Sequence, residues 1–156
     1  MLDELRDLYQ EVILDHGKNP RNRRHPEDAN RHALGHNPMC GDILTVFLKL
    51  AEDGTIEDAA FDGKGCAISM ASASMMTEIL KGKTAPQAAH LFDNFHRMCT
   101  EDDYVPLADS LEEEDDLDRL SVLSGVREFP IRVKCATLAW HTMTAAINGE
   151  DEATTE

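Results

Sequence analysis

The segment DILTVFLKLA, residues 42–51, alternates Leu44, Val46, Leu48 and Leu50 on one side of an extended chain. A period of two is the signature of a half-buried strand. EDGT follows, with Asp53-Gly54 as the turn, and then IEDAAF at 56–61. This pattern predicts an antiparallel hairpin. A hairpin brings its outer ends together, so whatever precedes residue 42 and follows residue 61 must meet. Cys40 lies just before the first strand, Asp42 opens it, and Cys66 lies just beyond the second, after Gly63 and Gly65.

The rest of the chain reads as helix. Leu2, Leu5, Leu8, Tyr9, Val12 and Ile13 recur at helical spacing and predict a helix over 2–16, stopped by Gly17 and Asn19-Pro20. Residues 18–36 are polar and locally basic and read as a loop. A helix over 68–82 ends at Gly82. Thr84, with Gln87 three residues on and Pro86 between, forms an N-terminal capping pattern for the next. Leu117, Leu120 and Leu123 imply a short helix, and Pro130 starts a last one reaching about Asn148. The acidic run from 101 to 118 reads as a solvated face. Aromatic residues make up only 5% of the 156, so aliphatic side chains, Met and Ala must build the core. The expected fold is α+β: a small antiparallel sheet with helices packed on one face. One domain spans 1–148, and residues 149–156 are expected to form a disordered acidic tail.

The formal charge is −15. It disfavours nucleic acid and anionic membranes, which are polyanions, and favours a cation or a basic partner. Acidity that only maintains solubility is the alternative. The amphipathic, acidic N-terminus does not read as a signal or transit peptide, and no apolar run is long enough to cross a membrane, so a cytoplasmic location is expected. A cytoplasmic protein of this size needs no disulfides, which leaves metal binding or catalysis for Cys40, Cys66, Cys99 and Cys135.

Cys40, Cys66 and Cys135 all stand at element boundaries. If the last helix packs against the hairpin's open end, Cys135 joins Cys40, Asp42 and Cys66 in a Cys3Asp set that satisfies tetrahedral zinc. A carboxylate beside a thiol opposes the thiolate, and a cation between them removes that conflict. Three unrelated core thiols are the alternative reading of the spacing. Cys99, on an apolar helix face, reads as a core residue. His32 and His36 would face one another only on a helix, and their loop is poor in helix formers; they read as surface residues.

The motifs "NPMCGD", "GKGCAISMASASMMTEIL" and "FPIRVKCATLAW" resemble those of the NifU/IscU-like family of iron–sulfur cluster assembly proteins, and most closely its SufU branch of zinc-dependent sulfurtransferases. The resemblance covers nearly the whole chain. It implies a SufE/NifU-like fold, with Cys40, Asp42, Cys66 and Cys135 as zinc ligands and Arg132 close to the metal. It implies that Cys40 accepts persulfide sulfur from a pyridoxal-phosphate-dependent cysteine desulfurase and passes it toward a downstream iron–sulfur assembly scaffold. Two other roles stay open: a scaffold holding an iron–sulfur cluster on the same residues, and an adaptor with a purely structural zinc. Scaffold-branch members carry a histidine directly before the third cysteine and an LPPVK segment. Here Lys134 precedes Cys135, the segment reads "FPIRVKC", and the interval from Cys66 to Cys135 is longer, as in the SufU branch.

Overall fold

The computed structural model describes residues 2–154 except 102 and 106, with side chains described from Gln10 onward. The predicted hairpin is present as β2 (Asp42–Leu50) and β3 (Ile56–Lys64), joined at Gly54, whose φ of +87° suits glycine. Leu44, Val46 and Leu48 are buried, while Ile43, Thr45 and Phe47 on the other face are only half-buried. One face of the sheet is therefore covered. β3 runs three residues beyond the expected end, and Ile43 pairs with Lys64.

The polar loop expected over 18–36 contains a strand. β1 (Arg31–Asn37) pairs antiparallel with β2 in the register Gly35↔Leu44 and Asn37↔Asp42. Only Ala33, Gly35 and Asn37 turn inward, so no apolar alternation marks the segment. Its placement depends on close approach to a helix: a Cβ on Gly35 would collide with Thr142 Oγ1.

Part of the expected disordered tail is also ordered. Past Gly149, with φ +77°, the chain turns back and β4 (Glu152–Thr154) pairs parallel with β1. Leu34 N donates to Asp151 O at 2.8 Å. The outer edge of β1 offers unpaired backbone groups, and β4 satisfies them. Residues 155 and 156 of that tail lie outside the described residues. The sheet order is β3-β2-β1-β4, so the expected antiparallel sheet is mixed through its last strand.

Helices α2 (Ala67–Leu80) and α5 (Pro130–Ile147) lie on the buried face of the sheet. Helix α1 (Leu2–Lys18) packs on α2, and α3 (Ala85–Thr100) packs on α5. The predicted cap of α3 is present in both directions, with Thr84 Oγ1 accepting from Gln87 N and Gln87 Oε1 accepting from Thr84 N. Trp140 on α5 is fully buried, lies 5.1 Å from the Phe95 ring, and donates through Nε1 to Ser72 Oγ at 3.1 Å. This contact ties α5, α3 and α2 together.

The acidic stretch is not simply a solvated face. It holds α4 (Leu111–Leu120), followed by a 3-10 segment at Ser121–Glu128. Within α4, Glu113 accepts from His90 (2.7 Å) and Asn94 (3.0 Å) on α3, and Asp116 pairs with the buried Lys83 at 2.7 Å. Residues 102 and 106 of the stretch lie outside the described residues.

Candidate metal centre

Three turns of chain converge at one end of the sheet. The first is 38–41, between β1 and β2. Gly41 there has φ +69°, which lets the chain reverse while Cys40 stays half-exposed. The second joins β3 to α2. Gly63 crosses against β2 so closely that a Cβ would meet Ile43 O. Cys66 is then the N-cap of α2, its Sγ accepting from Ser69 N at 3.5 Å. The third is the start of α5, which places Cys135 at full burial.

The ligand atoms of Cys40, Asp42 and Cys135 all lie within 4.8 Å of one another. Cys135 Sγ stands 3.2 Å from Cys40 Sγ. Cys66 is not in this compact set of three; it joins the site through its own N–H to Asp42 and through its influence on Cys135. Asp42 is fully buried. One of its oxygens accepts from Cys66 N at 2.9 Å and the other from Asn37 Nδ2 at 3.2 Å. No cationic side chain pairs with this carboxylate among the described residues. The Cys66 thiol is held down to about 6, first by its hydrogen bond with Cys135 and further by the Ser69 and Ile68 N–H groups of the α2 terminus. Cys135 is pushed up correspondingly, because it keeps the proton that the pair shares. The guanidinium of Arg132 is raised above its ordinary value, chiefly through a hydrogen bond to Cys135 and then by the charge of Cys66. Cys99 lies apart in the core, and burial pushes its thiol up to about 12. His32 and His36 are exposed on β1. Four residues along a strand separate them by about 13 Å.

The donor set suits a thiophilic dication. A buried carboxylate without a cationic partner is costly, and three thiols around it cannot neutralise it. Zinc would resolve both problems, because it accepts thiolate and carboxylate ligands together. The surroundings are shaped to the same end. A Cβ on Gly65 would collide with Asp42 Oδ1, so the carboxylate is held where only glycine leaves room. Asn37 is a further participant that the sequence reading did not single out. It is fully buried, holds Asp42, and donates to Cys135 Sγ at 3.6 Å. Its Oδ1 accepts no hydrogen bond. The signal available was its place as the first residue of NPMCGD. A second set of metal-type donors, His90, Asp109 and Glu113, is spent on joining α3 to α4.

A family model, NifU-like N terminal domain, matches residues 8–136. The zinc-dependent sulfurtransferase SufU of Bacillus subtilis is 41% identical over 147 residues, covering 92% of each chain. The iron–sulfur cluster assembly scaffold protein IscU of Streptococcus pyogenes is 38% identical over 146 residues, 94% of this chain and 86% of that one. The solved structure of a SUF-system protein, FiSufU, from Fervidobacterium islandicum superposes with a TM-score of 0.77 at 32% identity, over 88% of this chain and 94% of that one.

Proposed function

The chain belongs to the family of NifU-like N-terminal domains, and from that premise we propose that it serves iron–sulfur cluster assembly as a sulfur acceptor. In this reading Cys40 takes sulfur from the persulfide of a pyridoxal-phosphate-dependent cysteine desulfurase. The observation that carries the reading is the position of Cys40. Cys40 and Cys66 are both half-exposed, while Asp42 and Cys135 are buried. The Cys66 sulfur is engaged as the cap of α2, accepting from Ser69 N, whereas Cys40 stands on the turn at 38–41 between two strands.

The desulfurase presents Cys–S–SH. The Cys40 thiolate attacks the outer sulfur, an S–S bond forms to Cys40, and the S–S bond of the desulfurase breaks. The electron pair leaves on the desulfurase thiolate. One persulfide is lost and one gained, so the exchange needs neither oxidant nor reductant. Attack requires a thiolate. Zinc held by Cys40, Asp42, Cys66 and Cys135 would supply the positive charge that keeps these thiols deprotonated at neutral pH. The chain's own residues do the positioning. Asn37 Nδ2 and Cys66 N fix the Asp42 carboxylate, Ser69 N holds Cys66, and Arg132 adds a cation beside Cys135. Gly41, with φ +69°, makes the turn that carries Cys40 ahead of β2.

The test is direct. After incubation with a cysteine desulfurase and L-cysteine, peptide mass spectrometry should find the added sulfur on Cys40. Cys40→Ala should remain folded and neither accept sulfur nor stimulate desulfurase turnover. Added sulfur on Cys66 or Cys135, or full stimulation by Cys40→Ala, would remove Cys40 from the acceptor role. The similarity to an IscU scaffold supports a second reading, cluster assembly on the same donors. Zinc-loaded protein should be colourless; a brown preparation with iron and sulfide near stoichiometry would favour the scaffold.

A further inference from the structure

A persulfide carries its outer sulfur at the sulfane level, whereas an iron–sulfur cluster holds sulfide, so two electrons must enter between them. Two thiols can supply both electrons by closing a disulfide. Of the four cysteines in the chain, one pair is arranged for this. Cys135 Sγ donates to Cys40 Sγ across 3.2 Å, so the two side chains already converge. A disulfide needs about 2.0 Å between sulfurs and converging Cβ atoms, which a small side-chain rotation supplies. Cys66 lies outside this pair. Its sulfur caps α2, accepting from Ser69 N, and the compact donor set is Cys40, Asp42 and Cys135 without it. Cys99 is buried among the apolar side chains of the core.

We propose that Cys135 is the resolving thiol of the Cys40 persulfide, closing a Cys40–Cys135 disulfide and releasing hydrosulfide; the step rests on Cys40 being the sulfur acceptor. Cys135 gives its proton to solvent, and its thiolate attacks the inner sulfur of Cys40–S–SH. A bond forms between the two Sγ atoms, the bond to the outer sulfur breaks, and its electron pair leaves on HS⁻. The outer sulfur is reduced from sulfane to sulfide, and the two cysteine sulfurs are oxidised to the disulfide. No external oxidant or reductant enters. Displacement at sulfur runs along the axis of the breaking bond. Cys135 is fully buried behind the half-exposed Cys40. Sulfur added from outside therefore extends from Cys40 on the side away from Cys135, and the inner sulfur is the one that Cys135 meets. Asn37 Nδ2 donates to Cys135 Sγ at 3.6 Å, a contact that supports the attacking thiolate. Closing the disulfide removes two thiolates from the donor set, so a metal held there is released with the sulfide. A dithiol reductant returns both thiols.

The experiment is an anaerobic chase on the zinc-loaded full chain. The protein is loaded with a cysteine desulfurase and L-cysteine, separated from both, and held at neutral pH without thiol or oxidant. Intact mass should show the chain that is one sulfur heavier converting to a chain two hydrogens lighter than the reduced protein. Hydrosulfide, read by methylene-blue formation, and zinc, read by a chromophoric chelator, should appear in step with that conversion. Digestion without reductant should yield the Cys40 and Cys135 peptides joined, and dithiothreitol should restore the reduced mass and zinc binding. Cys99→Ser should behave as the wild type. Cys135→Ser should keep its added sulfur on Cys40 with sulfide release at background. The wild-type linkage decides the matter even if Cys135→Ser does not load. Sulfur that stays on wild-type Cys40 through the chase, sulfide released without a disulfide, or linkage of Cys40 to Cys66 or Cys99 overturns this step and leaves the sulfur-acceptor reading standing. Absence of added sulfur on Cys40 after loading removes the acceptor reading and this step together.

Discussion

At the scale of single residues, the candidate site is shaped by groups that are not themselves metal-type donors. Asn37 holds Asp42 and Cys135 at once. Partners behind metal ligands commonly govern affinity by about 10–100-fold, and Asn37→Ala should weaken zinc binding by that order, read by competition with a chromophoric chelator. Unchanged affinity would show that Asp42 needs no support. Gly65→Ala tests the same carboxylate from the other side. Its new methyl would overlap Asp42 Oδ1, so either the carboxylate leaves the site or the β3–α2 turn moves, and zinc binding should fall in both cases. Retention of full affinity by Gly65→Ala would mean the turn yields at no expense to the site. Cys99→Ser is the control, since a core thiol raised to about 12 by burial should leave metal content untouched. Cys40, Cys66 and Cys135 stood out in the sequence because they stand at element boundaries, and Gly65 because it comes just before Cys66. Asn37 did not, nor did the partner of Gly65, because what sets both apart is a distance to Asp42 that only the folded chain fixes.

At the scale of elements, the segment between α1 and β1 is held to the sheet by charge. Asp62 on β3 takes both Arg23 (3.1 Å) and His25 (2.6 Å), and Asp58 takes Arg24 at 2.6 Å. Hydrogen bonds from His25 and then Arg23 hold the Asp62 carboxyl down to about 2, against an ordinary 3.8. A depressed carboxyl stabilises the fold fully above its unfolded value and loses that contribution as pH falls through the folded one. Asp62→Asn should therefore be less stable at neutral pH and show a shallower loss of stability between about pH 4 and 2. The group is partly exposed, so solvent screening keeps the effect small; parallel urea curves for variant and wild type at every pH would refute the staple. The same segment shows why legibility varied between elements. β2 and β3 were readable because their apolar alternation is local, and α3 because its cap is. β1 buries only Ala33, Gly35 and Asn37, and β4 owes its place to the free edge of β1. Neither strand carries a local signal, because each is specified by a neighbour distant in sequence. The acidic run misread for a related reason: Lys83, the partner of Asp116, lies far back in the chain.

At the scale of the whole molecule, metal should act on stability without being required for the fold. The donors come from three separated segments: the β1–β2 turn with the start of β2, the N-cap of α2, and the first turns of α5. A metal joining them would clamp the open end of the sheet to both covering helices. The core itself lies elsewhere, around Trp140, Phe95, Phe61 and Leu44, and a chain of this length buries enough apolar surface to fold without a staple. Apo-protein should therefore keep its far-ultraviolet dichroism and a cooperative transition. A ligand that binds only the folded state at a thousand times its Kd contributes about 4 kcal/mol. A domain of this size gains about 2–4 °C in Tm per kcal/mol. Chelation should then lower Tm by about 8–16 °C, and stoichiometric zinc should restore it. Cys66→Ser and Cys135→Ser should each start near the apo value and respond little to zinc, whereas Cys99→Ser should follow the wild type. A melting curve unmoved by verified zinc removal would separate the clamp from the fold, and complete unfolding on chelation would place the site among metals that smaller domains need in order to fold at all.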